Sequence, residues 1–289
     1  MKRTIHKIIF AVKRVPLILR SLRKVYRYGG YTTTNIAYIN CGEVLKGKNI
    51  LITGGSSGIG FCIAKKCVQE GATVVITGRD ENKLKQAKEK INSSLLKVLT
   101  WDISQIANME EGILKTKELL NNDIDILVNN AGIVNSIQFP NVTEEVWDKV
   151  YATNSKGLFF LTQSLCGKWI KENKIKQRKI INISSQGGFV GAVYPYRMTK
   201  WDIAGLTQGL AIKLAPYGII VNGIAPGVVV TNMQSDFQNR AENVYCTQNP
   251  LERFALPEEI AELAVFLMSD ASNFITGQTI ICDGGYTIK

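Results

Sequence analysis

The chain has 289 residues, with 35 Lys and Arg against 24 Asp and Glu, a formal net charge of +11. The excess is local: residues 1–28 hold nine basic side chains and no acid, whereas residues 29–289 carry 26 basic and 24 acidic residues. This excludes a nucleic-acid binder whose basic face runs through the fold. The single histidine, His6, leaves the rest of the chain without His-ligated zinc or a His-dependent catalytic triad. The six cysteines form no C-x-x-C pair and read as reduced thiols.

In chain order, the first element is the basic extension. Its longest apolar runs, 8–12 and 15–19, have five residues each, far short of the roughly 20 that span a bilayer. At 100° per residue, Ile5, Ile8, Ile9, Val12, Val15, Leu19, Leu22 and Tyr26 fall on one side. Lys2, Arg3, Lys7, Lys13, Arg14, Arg20 and Lys24 fall on the other. The pattern predicts a cationic amphipathic helix, kinked at Pro16 where an amide is missing. Three roles stay open for residues 1–28: contact with a membrane surface, packing on the protein's own body or a partner subunit, and a mitochondrial presequence, which the low Ser content fits least.

Beyond residue 44, short β-branched runs alternate with segments of helical period. Strands are predicted at 49–53, 73–77, 96–100, 124–129, 179–184, 219–223 and 279–282. Helices are predicted to begin near Gly58, Glu81, Met109, Thr143, Pro195, Asn232 and Pro257. Nearly continuous apolar strands belong to a parallel sheet covered on both faces. The expectation is therefore an α/β fold, a Rossmann-type doubly wound sheet in one domain, 45–289, preceded by the extension, 1–44.

The first strand ends in Thr53, Gly54, Gly55, Ser56, Ser57, Gly58, Ile59 and Gly60 and runs directly into a helix. Glycines let backbone approach a pyrophosphate, and the helix N-terminus offers free amides and partial positive charge. After the second strand, an NAD-type site would place a carboxylate for the ribose hydroxyls. Gly78 and Arg79 stand there instead, so NADP(H) is favoured over NAD(H), with Asp80 one residue on as the opposing sign. Further on, Tyr196 and Lys200 are four apart on a helix, which sets an ammonium near a phenol. A cation there is expected to lower the tyrosine's pKa from about 10 toward working pH.

These motifs, together with Asp102, 129–132 (Asn-Asn-Ala-Gly), Asn154, Ser184-Ser185, Pro226-Gly227, Thr231 and the terminal Asp283-Gly284-Gly285, resemble the short-chain dehydrogenase/reductase family from about Leu45 to the end. The resemblance implies a seven-stranded parallel sheet and a homotetramer or homodimer. It implies Tyr196 as acid/base, Lys200 as its partner and ribose ligand, Ser185 on the substrate oxygen, with Ser184 as fallback, and Asn154 holding a relay water. It places Asp102 at the adenine, Asn130 beneath the cofactor, and Thr231 at the carboxamide. Ile103, Ala131, Gly132, Pro226, Gly227 and Val229 complete the cofactor contacts. No metal is implied. Tyr194 lies six residues from Lys200 and is the poorer acid/base; Arg197 and Thr199 replace residues that are often small.

The expected activity is NADPH-preferring interconversion of a carbonyl and a secondary alcohol by hydride transfer, in a cytoplasmic enzyme that is free or peripheral at a membrane. A 3-oxoacyl-thioester reductase is the leading substrate reading. A lipid- or glycan-pathway intermediate at a membrane is a comparable one, and a non-catalytic dinucleotide sensor is the reading from another class. The loop at 232–250 mixes Met233, Phe237 and Tyr245 with Asp236, Arg240 and Glu242, and names no substrate.

Overall fold

The computed structural model describes residues 15–16, 19–20, 22–23, 25–26, 42–135, 137–172, 176–231 and 244–289. Its centre is a seven-stranded parallel sheet: β1 (Asn49–Thr53), β2 (Thr73–Gly78), β3 (Leu96–Thr100), β4 (Ile126–Asn129), β5 (Arg178–Ile183), β6 (Ile219–Pro226) and β7 (Thr279–Cys282). The spatial order is β3-β2-β1-β4-β5-β6-β7. Connections run outward in opposite directions from the β1/β4 pair, which opens a crevice at the carboxyl ends of those two strands.

Alternate residues of each strand feed opposite cores. Ile50, Ile52, Val74 and Ile76 pack with α1 (Gly58–Gln69), α2 (Glu81–Ile91) and α7 (Pro257–Met268) through Ile63, Leu84 and Ile260. Leu51, Val75, Leu127 and Ile180 pack with α3 (Met109–Leu120), α5 (Leu158–Lys171) and α6 (Pro195–Leu214) through Ile113, Leu161 and Leu214. Burial on both faces is why the strands read as unbroken apolar runs.

The expected strands are all present, with shifts of one to three residues at their ends. One expected helix is divided. Residues predicted as a single helix from Thr143 form α4 (Glu144–Tyr151) and α5, joined by a π-helical turn, Ala152–Gly157. Gly157 lies so close to the loop after β3 that a Cβ would sit 2.5 Å from the Ile103 carbonyl oxygen. The extra residue of the wide turn holds Asn154 in the interior. The helix expected near Asn232 and most of the amphipathic extension lie outside the described residues. Of the extension, Val15, Pro16, Leu19, Arg20, Leu22, Arg23, Val25 and Tyr26 are helical and exposed.

Candidate active site

A cleft of about 540 Å³ follows the crevice, with the glycine loop and Arg79 along it and Tyr196 and Lys200 on its wall. The loop is built by close approach. Gly54 and Gly58 have φ of 66° and 56°, open to glycine without strain. A Cβ on Gly60 would fall 2.3 Å from Asn130 Nδ2 and 2.4 Å from Gly54 O. Asn130 Nδ2 donates to the carbonyls of Thr53 and Gly54 at 2.9 and 2.8 Å, which ties β4 to the turn after β1. Ser57, the residue before α1, makes no side-chain cap, so the first-turn amides of α1 have no cap from it. Glycine backbone, those amides and their partial positive charge fit a dinucleotide pyrophosphate.

Thr53 stands apart from the other expected cofactor residues. It is fully buried and does not line the cleft; its hydroxyl oxygen accepts from the amides of Asn130 and Ala131 at 3.1 and 3.0 Å. It supports the loop from beneath. Ser56, Ser57, Gly58, Ile59, Asp102, Ile103, Gly132, Pro226, Gly227, Val229 and Thr231 all line the cleft.

At the far end, exposed Arg79 lines the cleft beside Lys83. Asp80 is the N-cap of α2, its Oδ1 accepting from Lys83 N at 3.1 Å. A carboxylate engaged in capping is a structural group first, although Asp80 also lines the cleft. Asp102 Oδ1 accepts from the amide and hydroxyl of Ser104 at 2.9 and 2.8 Å, which fixes the turn after β3.

Tyr196 opens α6 behind Pro195, whose ring suits the first helical turn. Lys200 lies one turn on, buried, with Nζ 5.5 Å from the Tyr196 ring centroid. That ammonium donates to the Ile183 carbonyl at 2.9 Å. Burial pushes the Lys200 pKa down to about 8. Burial also holds the Tyr196 phenol above its ordinary value; a hydrogen bond from Ser185 lowers it, Tyr194 raises it and Arg197 lowers it. The expected depression of Tyr196 by Lys200 does not appear: desolvation of the phenol outweighs the Ser185 hydrogen bond and Arg197, and the Lys200 ammonium is aimed at a carbonyl.

The two serines separate cleanly. The Ser184 hydroxyl donates to Lys200 O at 2.8 Å and is buried, a tie between β5 and α6. Ser185 lines the cleft, its hydroxyl oxygen accepts from Gly187 N at 3.1 Å, and it lies near enough to the Tyr196 phenol to lower its pKa. Tyr194 stacks on Tyr196 with ring centroids 6.3 Å apart. Asn154 does not line the cleft. Its Oδ1 accepts from Ile133 N at 2.9 Å, and its Nδ2 donates to Ile133 O at 3.0 Å and to Thr199 Oγ1 at 3.2 Å. The side chain thus clamps the segment after β4 to α6.

A family model described as Enoyl-(Acyl carrier protein) reductase matches residues 54–287. The chain belongs to the short-chain dehydrogenase/reductase family. As such it is an oxidoreductase acting between CH–OH and C=O groups with a nicotinamide dinucleotide. Among its relatives, the 3-oxoacyl-[acyl-carrier-protein] reductase of Aquifex aeolicus is 38% identical over 246 residues, 83% of this chain and 98% of that protein. The gluconate 5-dehydrogenase of Gluconobacter oxydans is 33% identical over 249 residues, 85% of this chain and 96% of that one. Of solved structures, the 3-ketoacyl-(acyl-carrier-protein) reductase from Brucella melitensis complexed with NADH superposes with a TM-score of 0.75 at 30% identity, covering 84% of this chain and all of that one.

This dehydrogenase/reductase also uses residues that sequence reasoning passed over. Trp101 and Val134 line the cleft. A Cβ on Gly112 would meet the Trp101 indole at 2.2 Å, so a helix glycine makes room for the ring. Asn129 Nδ2 donates to Thr162 Oγ1 and Asn182 Oδ1, both at 2.9 Å, and Asn182 Nδ2 reaches Thr207 Oγ1 at 2.9 Å. This buried ladder joins β4, β5, α5 and α6 behind the catalytic wall. Polar residues at inward strand positions were its signal, since a buried amide needs partners.

Proposed function

We propose that the protein reduces a ketone to a secondary alcohol with NADPH, using Tyr196 as the proton donor. The observation that carries this reading is the convergence of Ser185, Tyr196 and Lys200 on the cleft that the glycine loop and Arg79 also line. The bound nicotinamide supplies or accepts the hydride. The glycine loop and α1 amides would hold its pyrophosphate, Asp102 its adenine, Lys200 its ribose and Thr231 its carboxamide. Arg79 would pair with a 2′-phosphate, a role supported by the commitment of Asp80 to its helix.

The chemistry of the protein's own groups follows from their setting. Ser185 holds the carbonyl oxygen toward the Tyr196 phenol, which is protonated because burial disfavours phenolate. As negative charge develops on that oxygen, the phenol transfers its proton, and the nearby Lys200 ammonium stabilises the phenolate left behind. Tyr196→Phe keeps the ring and its packing but removes the proton. NADPH binding should persist while turnover falls by about 10² or more; retained turnover rejects the assignment.

A second reading concerns where the enzyme works. Val15, Leu19, Leu22 and Val25 are helical and exposed in a segment with nine positive charges and no acid, which supports contact with an anionic membrane surface. No helix of the described residues is long and apolar enough to cross a membrane. Full-length protein should float with anionic liposomes and stop floating when Leu19 and Leu22 are both replaced by Glu; unchanged flotation removes the role.

A further inference from the structure

Val229 and Thr231 stand on the segment that leaves β6, and both line the cleft. Thr231 is set against the glycine loop: its Cγ2 lies 3.4 Å from the place that a Cβ on Gly58 would take. A short piece of chain just before α7 holds this segment. Ala255 N donates to Val228 O at 2.9 Å, and Val230 N donates to Ala255 O at 2.9 Å, a parallel bridge centred on Val229. Behind it, Phe254 N donates to Val244 O at 2.7 Å and Cys246 N to Glu252 O at 3.0 Å, which closes a hairpin. Val244, Cys246 and Phe254 pack with Val228, Val230 and Leu256 in a small apolar cluster of their own. A satellite cluster of so few side chains buries little area, so the hairpin needs a second anchor.

Arg253 supplies that anchor. Its guanidinium grips Glu259 of α7 with both arms, Nη1 donating to Oε2 at 2.8 Å and Nη2 to Oε1 at 2.7 Å. Nη1 also donates to Phe254 O at 3.1 Å. Two parallel bonds fix direction as well as distance, which a point charge does not. Glu259 Oε2 accepts from Leu256 N at 2.8 Å, so one carboxylate caps the first turn of α7 and holds the guanidinium. The helix behind it is firmly seated, with Ile260, Ala261 and Ala264 buried in the core shared with α1. The Arg253 guanidinium keeps the Glu259 carboxyl below its ordinary pKa against the opposing effect of burial. The hairpin turns through Glu252 at φ 54°, a left-handed conformation that a non-glycine residue keeps when its surroundings enforce it. Neither Arg253 nor Glu259 lines the cleft.

We infer that the Arg253–Glu259 pair is a positioning device for the nicotinamide half of the cofactor. It acts through Phe254 and Ala255 on Val229 and Thr231, and takes no place in the cleft itself. This rests on the reading of Thr231 as the carboxamide contact and adds what sets that contact in place. On the same reading the adenosine half is held elsewhere, by the glycine loop, Arg79 and Asp102. Releasing the pair therefore loosens the grip on one half of the dinucleotide and leaves the other.

The test is isothermal titration of the full-length enzyme with NADPH and with 2′,5′-ADP, which lacks the nicotinamide half. NADH and ADP give the same comparison if NADH proves the tighter ligand. Arg253→Met keeps the stem and removes the fork. It should weaken NADPH about 5- to 10-fold, the equivalent of one hydrogen bond at the carboxamide, and change 2′,5′-ADP by less than about twofold. Arg253→Lys should fall between, because one ammonium cannot hold both oxygens. Glu259→Gln should give the same split, and combining it with Arg253→Met should add little, since both cut one connection. An unchanged affinity for 2′,5′-ADP also shows that a variant is folded. Equal losses for NADPH and 2′,5′-ADP, or no loss for NADPH, overturn the positioning role. Thr231→Ala separates the two layers: if it shows the split and Arg253→Met does not, the pair fails while the carboxamide contact stands. If Thr231→Ala shows no split, the carboxamide reading fails and the inference goes with it.

Discussion

Thr53 and Thr77 are direct register partners on β1 and β2, both essentially buried, and the same substitution should act on them in opposite ways. Valine keeps the branched shape of threonine and deletes the hydroxyl. At Thr53 the hydroxyl oxygen is the acceptor for two backbone amides, Asn130 and Ala131, at 3.1 and 3.0 Å. Thr53→Val leaves the Ala131 amide without its acceptor, while the Asn130 amide keeps the Val128 carbonyl at 3.1 Å, so the cost is about 1–3 kcal/mol. For a domain of this size that corresponds to a fall in Tm of roughly 2–12 °C. At Thr77 the hydroxyl has no hydrogen-bond partner among the described residues, so Thr77→Val removes an unsatisfied group and should be neutral or stabilising by about 1 kcal/mol. Differential scanning fluorimetry without cofactor, backed by urea denaturation, measures both. Thr53→Ser, which retains the acceptor, should recover most of the loss. Equal shifts for the two valine variants, or a change under about 2 °C for Thr53→Val, would refute the assignment of Thr53 as the support of the loop.

Other consequences follow from single groups. Arg79→Ala should weaken NADPH by about 10- to 150-fold, the equivalent of about 1.5–3 kcal/mol for hydrogen bonds to a charged phosphate. NADH should change by no more than about twofold, and equal losses in titration calorimetry would remove the 2′-phosphate role. The Lys200 pKa of about 8 lies below the unfolded value near 10.5, so between these values the unfolded chain binds the extra proton and stability rises with pH. The slope reaches at most about 1.4 kcal/mol per pH unit. The thiols of Cys62 and Cys166, both raised to about 12 by burial, pull the other way above pH 9, so the informative quantity is the difference between the enzyme and Lys200→Met. Parallel curves from pH 7.5 to 10 would contradict the buried ammonium. Thr199→Val takes one of the partners of Asn154 Nδ2; kcat should fall about 5- to 10-fold with little change in KM, Thr199→Ser should restore it, and an unchanged kcat would make the contact incidental.

Sequence was most informative where one residue type answers one geometric demand. The alternation of apolar runs and helical periods located all seven strands, because a sheet buried on both faces permits few other residues. The glycine loop was equally legible, since Gly60 leaves no room for a Cβ against Asn130 and Gly54. Polar residues with more than one possible partner were the opaque ones. Asp80 could have opposed a 2′-phosphate or capped a helix, and only the three-dimensional course of α2 decides for the cap. Thr53 belongs to the cofactor motif by position, yet its hydroxyl serves the backbone beneath the loop.

The same distinction governs the catalytic wall. Spacing puts Lys200 near Tyr196, but spacing carries no information about desolvation. In the fold burial dominates both groups, lowering the lysine and raising the tyrosine. The two shifts act in one direction chemically: each favours the neutral form, so the pair holds a phenolic proton available for transfer. On the proposed reading, an alkoxide that develops beside Tyr196 would meet a protonated phenol and the buried Lys200. Asn154 contributes through the backbone it clamps, because its carboxamide is engaged by Ile133 and Thr199. On the proposed reading of Tyr196 as proton donor, a change at Asn154 should therefore lower kcat through the placement of α6.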